Sequence, residues 1–245
     1  MPQVATQSPS SRNPPKLLAG EHLDQKTFHQ RYEAMPETVK AELVGGIVYV
    51  ASPESRNHGQ PYTMLVGWLE SYCLSTPGTD CFANVTTILG EFSEPQPDAS
   101  LMVSPDWGGQ SWFTNIGSGQ YTQGPPEFVS EVSFSTESLD LIAKRRDYER
   151  AGVKEYLVVV VRQKRVVWFV RAPRKKGFIE LQPGRGGILR SPFFGGLWLD
   201  PEALICGDRP TLHETLQRGL SSPEHARFVN SLALARSKLD PRRKK

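Results

Sequence analysis

Glu131 stands inside an apolar β-run, FVSEVS, at residues 128–133. An ionised carboxylate in such surroundings is costly to bury unless a cation or a metal receives it. Asp140 and Lys144 follow one helical turn apart, and Asp98 precedes Glu131 by 33 residues, a separation compatible with two neighbouring strands. If the Asp98 and Glu131 oxygens converge to about 4 Å, they repel by roughly 4 kcal/mol at an effective dielectric near 20. A divalent cation removes that repulsion. Hard oxygen ligands suit magnesium or manganese, whereas zinc would call for His and Cys. Lys144 then has a chemical part to play, orienting or deprotonating a water that the metal has acidified.

The same residues admit plainer roles. Glu131 and Lys144 would also suit a buried ion pair that only holds strand to helix, and Asp98 would suit a turn cap. Asp140 is favoured in a first helical turn by the helix dipole in any protein. Glu42, on a hairpin, is the kind of residue found exposed or salt-bridged, and His58, at a helix entry, has an ordinary structural use. Residue types and spacing leave these alternatives open.

The elements that must position these side chains can be read from periodicity. Residues 127–133 read as a strand, residues 139–150 as a helix with Ser138 as N-cap and Gly152 as stop, and residues 155–161 as a strand buried on both faces. Residues 165–171 return as a partner strand through a turn at Gln163 and Lys164, and residues 178–181 add another. Upstream, Asp24 caps an amphipathic helix over residues 24–35, and residues 41–52 form a hairpin around Gly45 and Gly46 that carries Glu42. A helix over residues 59–74 follows His58 and ends at Pro77 and Gly78. Strands are expected at residues 84–90 and 99–103, and an irregular connection at residues 105–126, long enough to cover a site. The order of elements gives an α/β or α+β fold around a mixed sheet.

The 245 residues suffice for one core with extensions. Residues 1–20, rich in Ser, Pro, Gln and Asn, are expected to be disordered. The core domain spans residues 21–182. Residues 183–235 form a loop-rich wrap and a helical cap, with helices starting at Pro201 and covering residues 211–218 and 223–239. Residues 236–245 form a basic tail with six cationic side chains against one aspartate, a net +5 that leaves −2 for the rest of a chain totalling +3. Such a tail suits contact with nucleic acid or simple solubility.

No run approaches the roughly 20 apolar residues of a spanning helix, and the N-terminus lacks the apolar core of a signal peptide, so a cytoplasmic location without membrane contact is expected. Cys73, Cys81 and Cys206 have neither disulfide-framework nor zinc-cluster spacing and read as buried or half-buried thiols.

Five segments in order, AELVGGIVYVASPESRNHG, EPQPDASLMVSPDWGGQS, GPPEFVSEVS, DLIAKRRDYERAGVKEYLVV and ILRSPFFGGLWLDPEALICGD, followed by LQRGLSSPEHARFV, resemble the Uma-type restriction endonuclease family of the PD-(D/E)XK nuclease superfamily. The resemblance covers residues 22–230. It implies a restriction endonuclease-like core, a mixed β-sheet flanked by helices with a magnesium-type metal at one end of the sheet. Pro97 and Asp98 match the superfamily's proline and aspartate, Glu131 its second acid and Glu42 the family's early acid. Ser133 stands where the usual lysine would be, so Lys144 on the following helix, accompanied by Asp140, takes that part. The implied activity is Mg2+- or Mn2+-dependent hydrolysis of DNA phosphodiester bonds, for which a homodimer would suit double-strand cleavage. An RNase, or an inactive nucleic-acid or protein-binding module on the same fold, are the alternatives.

Overall fold

The computed structural model describes residues 14–51, 55–117, 119–171 and 176–239. The chain opens with α1 (Gln25–Glu33), whose first turn is closed by the Asp24 carboxylate accepting the Thr27 N–H at 3.0 Å. β1 (Ala41–Val44) and β2 (Ile47–Val50) pair as an antiparallel hairpin. Their two-residue turn puts Gly45 and Gly46 at φ of +60° and +80°, a conformation that strongly favours glycine. α2 (Arg56–Ser75) carries Pro61 and buries Met64, Leu65, Trp68, Leu69 and Tyr72.

β3 (Thr79–Ala83), β4 (Thr87–Ile88) and β5 (Ala99–Val103) come next, then β6 (Trp112–Ile116), β7 (Gly119–Gln123) and β8 (Phe128–Ser133). A π-helical turn over Leu139–Lys144 leads into α3 (Arg145–Ala151), which Gly152 ends at φ +105°. β9 (Glu155–Val160), β10 (Arg165–Arg171) and β11 (Phe178–Glu180) complete the sheet. The short pair β12 (Leu189–Arg190) and β13 (Trp198–Leu199) precedes α4 (Pro201–Cys206), α5 (Arg209–Leu220) and α6 (Pro223–Leu239).

The main sheet runs β11-β10-β9-β8-β5-β3. β8 and β9 are parallel, joined by the crossover through α3, and the other neighbours in this sheet are antiparallel. Strand alternation divides β8 between two cores. Phe128 and Val132 join α2, α4 and α5 on one side, where Trp68 meets Phe128 and Trp168 edge-on at about 6 Å. Val129 faces the other side, with Tyr148 of α3 and Tyr156, Val158 and Val160 of β9. Glu131, two residues beyond Val129, is carried on that second face, under the helix that bears Lys144.

Three local expectations differ from this architecture. Of the strand expected at residues 84–90 only the two-residue β4 forms, and β3, which was not expected, lies just before that span and is held by pairing with β5. The connection at residues 105–126, expected to be irregular, contains the β6–β7 hairpin, extended by parallel pairing of β7 with β4. It packs on α1, where Tyr121 meets His29 edge-on at 4.7 Å, and none of its described residues lines the candidate cavity. Of the segment expected to be disordered, residues 1–13 lie outside the described residues, and residues 14–20 are ordered. Leu17 is buried with Phe28, Leu43 and Val48, and the Arg31 guanidinium donates to the carbonyls of Pro15 and Lys16. Burial of Leu17 and satisfaction of Arg31 offset the chain entropy lost there. Of the basic tail, residues 240–245 lie outside the described residues. No helix among the described residues is long and apolar enough to cross a membrane.

Candidate active site

One cavity of about 410 Å³ is lined by Glu42, His58, Asp98, Glu131, Asp140 and Lys144 among others. All six residues singled out in the sequence therefore come together. β1 brings Glu42, the first turn of α2 brings His58, the residue preceding β5 brings Asp98, β8 brings Glu131, and the π-helical turn brings Asp140 and Lys144.

Lys144 is the hub. Its Nζ donates to Glu131 Oε1 at 3.0 Å, lies 2.8 Å from Glu42 Oε1 and stands 3.9 Å from Asp140 Oδ1. The wider π-helical turn spans Leu139–Lys144, so both charged residues of the turn lie within it, and both are buried. Ser138, expected as the N-cap, already has helical dihedrals and makes no side-chain cap hydrogen bond. Asp140 is held by the Thr136 hydroxyl at 2.5 Å, and its carbonyl accepts the Tyr156 O–H at 2.9 Å.

The acids are oriented as well as gathered. Asp98 Oδ2 accepts the Val132 N–H at 2.6 Å and lies 3.2 Å from His58 Nε2, while the His58 ring stacks on Tyr62. Glu42 accepts the Gln96 N–H at 2.6 Å, and the hairpin bearing it is tied to α3 by the Gly45 N–H donating to Asp147 at 2.6 Å. Glu131 Oε1 also accepts the Tyr148 O–H at 2.8 Å. Tyr148 escaped the sequence reading, which took the helix face for its charges. The available signal was its position four residues after Lys144, on the same face. Gln96 and Thr136 had no signal, since their parts depend on contacts between distant segments.

Burial raises the Glu131 carboxyl well above the usual carboxylate range; Lys144 opposes this, and the charges of Asp98, Glu42 and Asp140 add to it. Burial likewise raises Asp140, again opposed by Lys144. For Lys144 burial alone would lower the value, but Glu131, Glu42 and Asp140 outweigh it and hold the ammonium well above its ordinary range. Tyr148 is pushed up by burial first and then by the Glu131 charge. Three carboxyl groups thus surround one buried ammonium, with the charge of Asp98 also acting on Glu131, an excess of negative charge that favours uptake of a proton or a cation.

Among the described residues no group of three or more His, Cys, Asp or Glu side chains could hold a metal ion unaided. Asp98 and Glu131 each keep one oxygen, Oδ1 and Oε2, to which no described residue donates a hydrogen bond. Two carboxylates with free oxygens fit magnesium, which retains waters and completes its shell with substrate oxygens. A thiolate or imidazole set for zinc is absent from the cavity lining apart from His58.

Comparison with known proteins agrees with this architecture. A crystal structure of a protein from Anabaena variabilis, described as a "putative nuclease belonging to DUF820", superposes with a TM-score of 0.52 at 14% identity, covering 72% of this chain and 96% of that one. At that identity the likeness concerns the fold, a restriction endonuclease-like mixed sheet flanked by helices. No curated protein matches the chain. The family model described as "Uma2: Putative restriction endonuclease" matches residues 26–202, from α1 through the start of α4, and so takes in all six cavity residues. By that match the chain belongs to the Uma2 family.

Proposed function

We propose that the chain is a metal-dependent endonuclease that hydrolyses DNA phosphodiester bonds, with Asp98 and Glu131 as the ligands of Mg2+ or Mn2+. The observation that carries this reading is the pairing of an oriented Asp98 with a Glu131 held by Lys144 and Tyr148 in one cavity, each acid with one oxygen left over. The description of the Uma2 family adds the nuclease class.

When bound, a divalent cation supplies Lewis-acid stabilisation of phosphate charge and lowers the pKa of water. The chain's own residues do the rest. The Val132 N–H fixes Asp98, so its second oxygen is presented to the cavity. Lys144 and Tyr148 both hold Oε1 of Glu131, which leaves Oε2 as the acceptor of positive charge. With three carboxylates within 4 Å, Lys144 acts as a fixed positive charge beside the scissile phosphate and orients water, a role that replaces proton abstraction. Glu42, the more exposed partner of Lys144, is the acid that substrate phosphate displaces.

The test is incubation of purified protein with supercoiled DNA, and separately with RNA, in Mg2+, in Mn2+ and in EDTA. Nicking of DNA that needs the cation and disappears in Glu131→Gln and Asp98→Asn supports the reading. Cleavage that persists in both variants, or is confined to RNA, contradicts it.

A further inference from the structure

Arg162 lies over the Phe134 ring at 4.7 Å, and Phe134 lines the candidate cavity. Two residues on, at the β9–β10 turn, Lys164 lines a second cavity of about 200 Å³ with Asn57, Gln60 and Val161. Gln60 also lines a third, shallower cavity of about 330 Å³, with Arg56 and Arg209 on its walls. The three hollows therefore follow one another around the start of α2, from the candidate active site outward.

Three helix ends build the far end of this strip. Arg56 opens α2, Gly207 caps α4 and Arg209 opens α5. A Cβ at Gly207 would come within 2.6 Å of the Gln60 amide, so the absence of a side chain there lets Gln60 form the floor between the arginines. Arg56, Arg162, Lys164 and Arg209 are exposed, and none pairs with a carboxylate among the described residues. The neighbouring acids are engaged elsewhere. Asp208 caps α5 through Thr211, and Glu137 accepts from Gln163. Four exposed cations thus lie along adjoining hollows on a body that carries a net −2 without its last ten residues.

We infer that this strip binds the sugar-phosphate backbone of the substrate, carrying the DNA strand away from the candidate active site across Arg162 and Lys164 to Arg56 and Arg209. The inference rests on the nuclease reading above and deepens it. Guanidinium and ammonium groups in a row match the periodic negative charge of a phosphodiester chain, and such contacts fix register without reading sequence. Phosphates neutralised in this way release counterions, so each contact has a signature in the salt dependence of binding.

The test is fluorescence anisotropy of a labelled DNA duplex with the full-length protein, in EDTA so that nothing is cleaved, over a potassium chloride series. Arg56→Ala with Arg209→Ala, and separately Arg162→Ala with Lys164→Ala, are each expected to weaken binding at least about tenfold and to reduce the slope of log K against log salt by about 2. Arg185→Ala with Arg227→Ala removes the same charge elsewhere and is expected to leave the slope within about 0.5 of the parent. Equal effects of all three pairs would reduce the strip to net charge and overturn the inference. So would unchanged binding in both strip pairs, and if the parent protein still cleaves DNA in Mg2+ the nuclease reading survives that result. A parent protein that binds no duplex overturns the strip directly, while the cleavage assay decides the nuclease reading separately.

Discussion

The Lys144 ammonium and the Glu131 carboxylate meet at 3.0 Å with about 5% of either side chain exposed, so helix and strand are joined by a charge pair sealed from solvent. Removing the cation alone strands a buried carboxylate. Lys144→Met is expected to cost about 3–5 kcal/mol at neutral pH, and adding Glu131→Gln to recover a large part of it. Urea denaturation of the single and double variants checks this; a loss below about 1 kcal/mol for Lys144→Met would show that the pair is not coupled as described.

Tyr148→Phe removes one donor from Glu131 while leaving the ring in its core contacts with Tyr156. The expected loss is about 1–3 kcal/mol, since a charged acceptor loses a buried partner. The measurement is again chemical denaturation, and an unchanged midpoint would mean that the phenol does not hold the carboxylate.

Much of this site was legible in the sequence because its carriers are regular. The alternation of FVSEVS puts Glu131 on the face opposite Phe128 and Val132, the apolar run 156–160 ending in three valines gives the parallel neighbour, and the glycine pair fixes the hairpin carrying Glu42. What was not legible depends on long-range contacts. β6 and β7 bury few side chains, so their pattern has no period, and they exist through pairing with β4 and packing on α1. β3 lacks a β-branched run and is ordered by β5. The π-helical turn at residues 139–144 has the composition of an ordinary helix, and its departure from one accompanies the inward placement of Asp140 and Lys144. Leu17 gave no signal as a lone apolar residue, because its partners come from α1 and the first hairpin.

The hairpin that delivers Glu42 is fixed to α3 through the Gly45 N–H and the buried Asp147 carboxylate. Asp147→Ala is expected to raise hydrogen exchange at Gly45 and the adjoining strand ends by at least tenfold, with a global cost of about 1–3 kcal/mol. Exchange at the parent rate would show that the hairpin is positioned by its contacts with residues 20–23 and 92–96 without Asp147.

Glu155 is a further buried acid, on the far face of the sheet, accepting from the Ser191 hydroxyl, the Phe193 N–H and the Trp168 indole. Burial pushes its pKa up to about 7 in spite of these donors. A folded value above the unfolded one means that the native state holds the proton more tightly. The stabilisation is present in full below about pH 4.5 and is lost as pH rises through about 7. It is on the order of 3 kcal/mol. Thermal unfolding from pH 5 to 8 should therefore show declining stability in the parent and a flatter profile in Glu155→Gln. Identical slopes in the two proteins would contradict the assignment to Glu155.

The proposed function stands on Asp98 and Glu131 forming a divalent-cation site together. The most direct measurement of that site is calorimetric titration of Mn2+ into the parent protein, Asp98→Asn and Glu131→Gln, each shown to be folded by circular dichroism. About one ion is expected to bind per parent chain, with that binding lost in both variants. No binding by the parent, or undiminished binding in both variants, would contradict it.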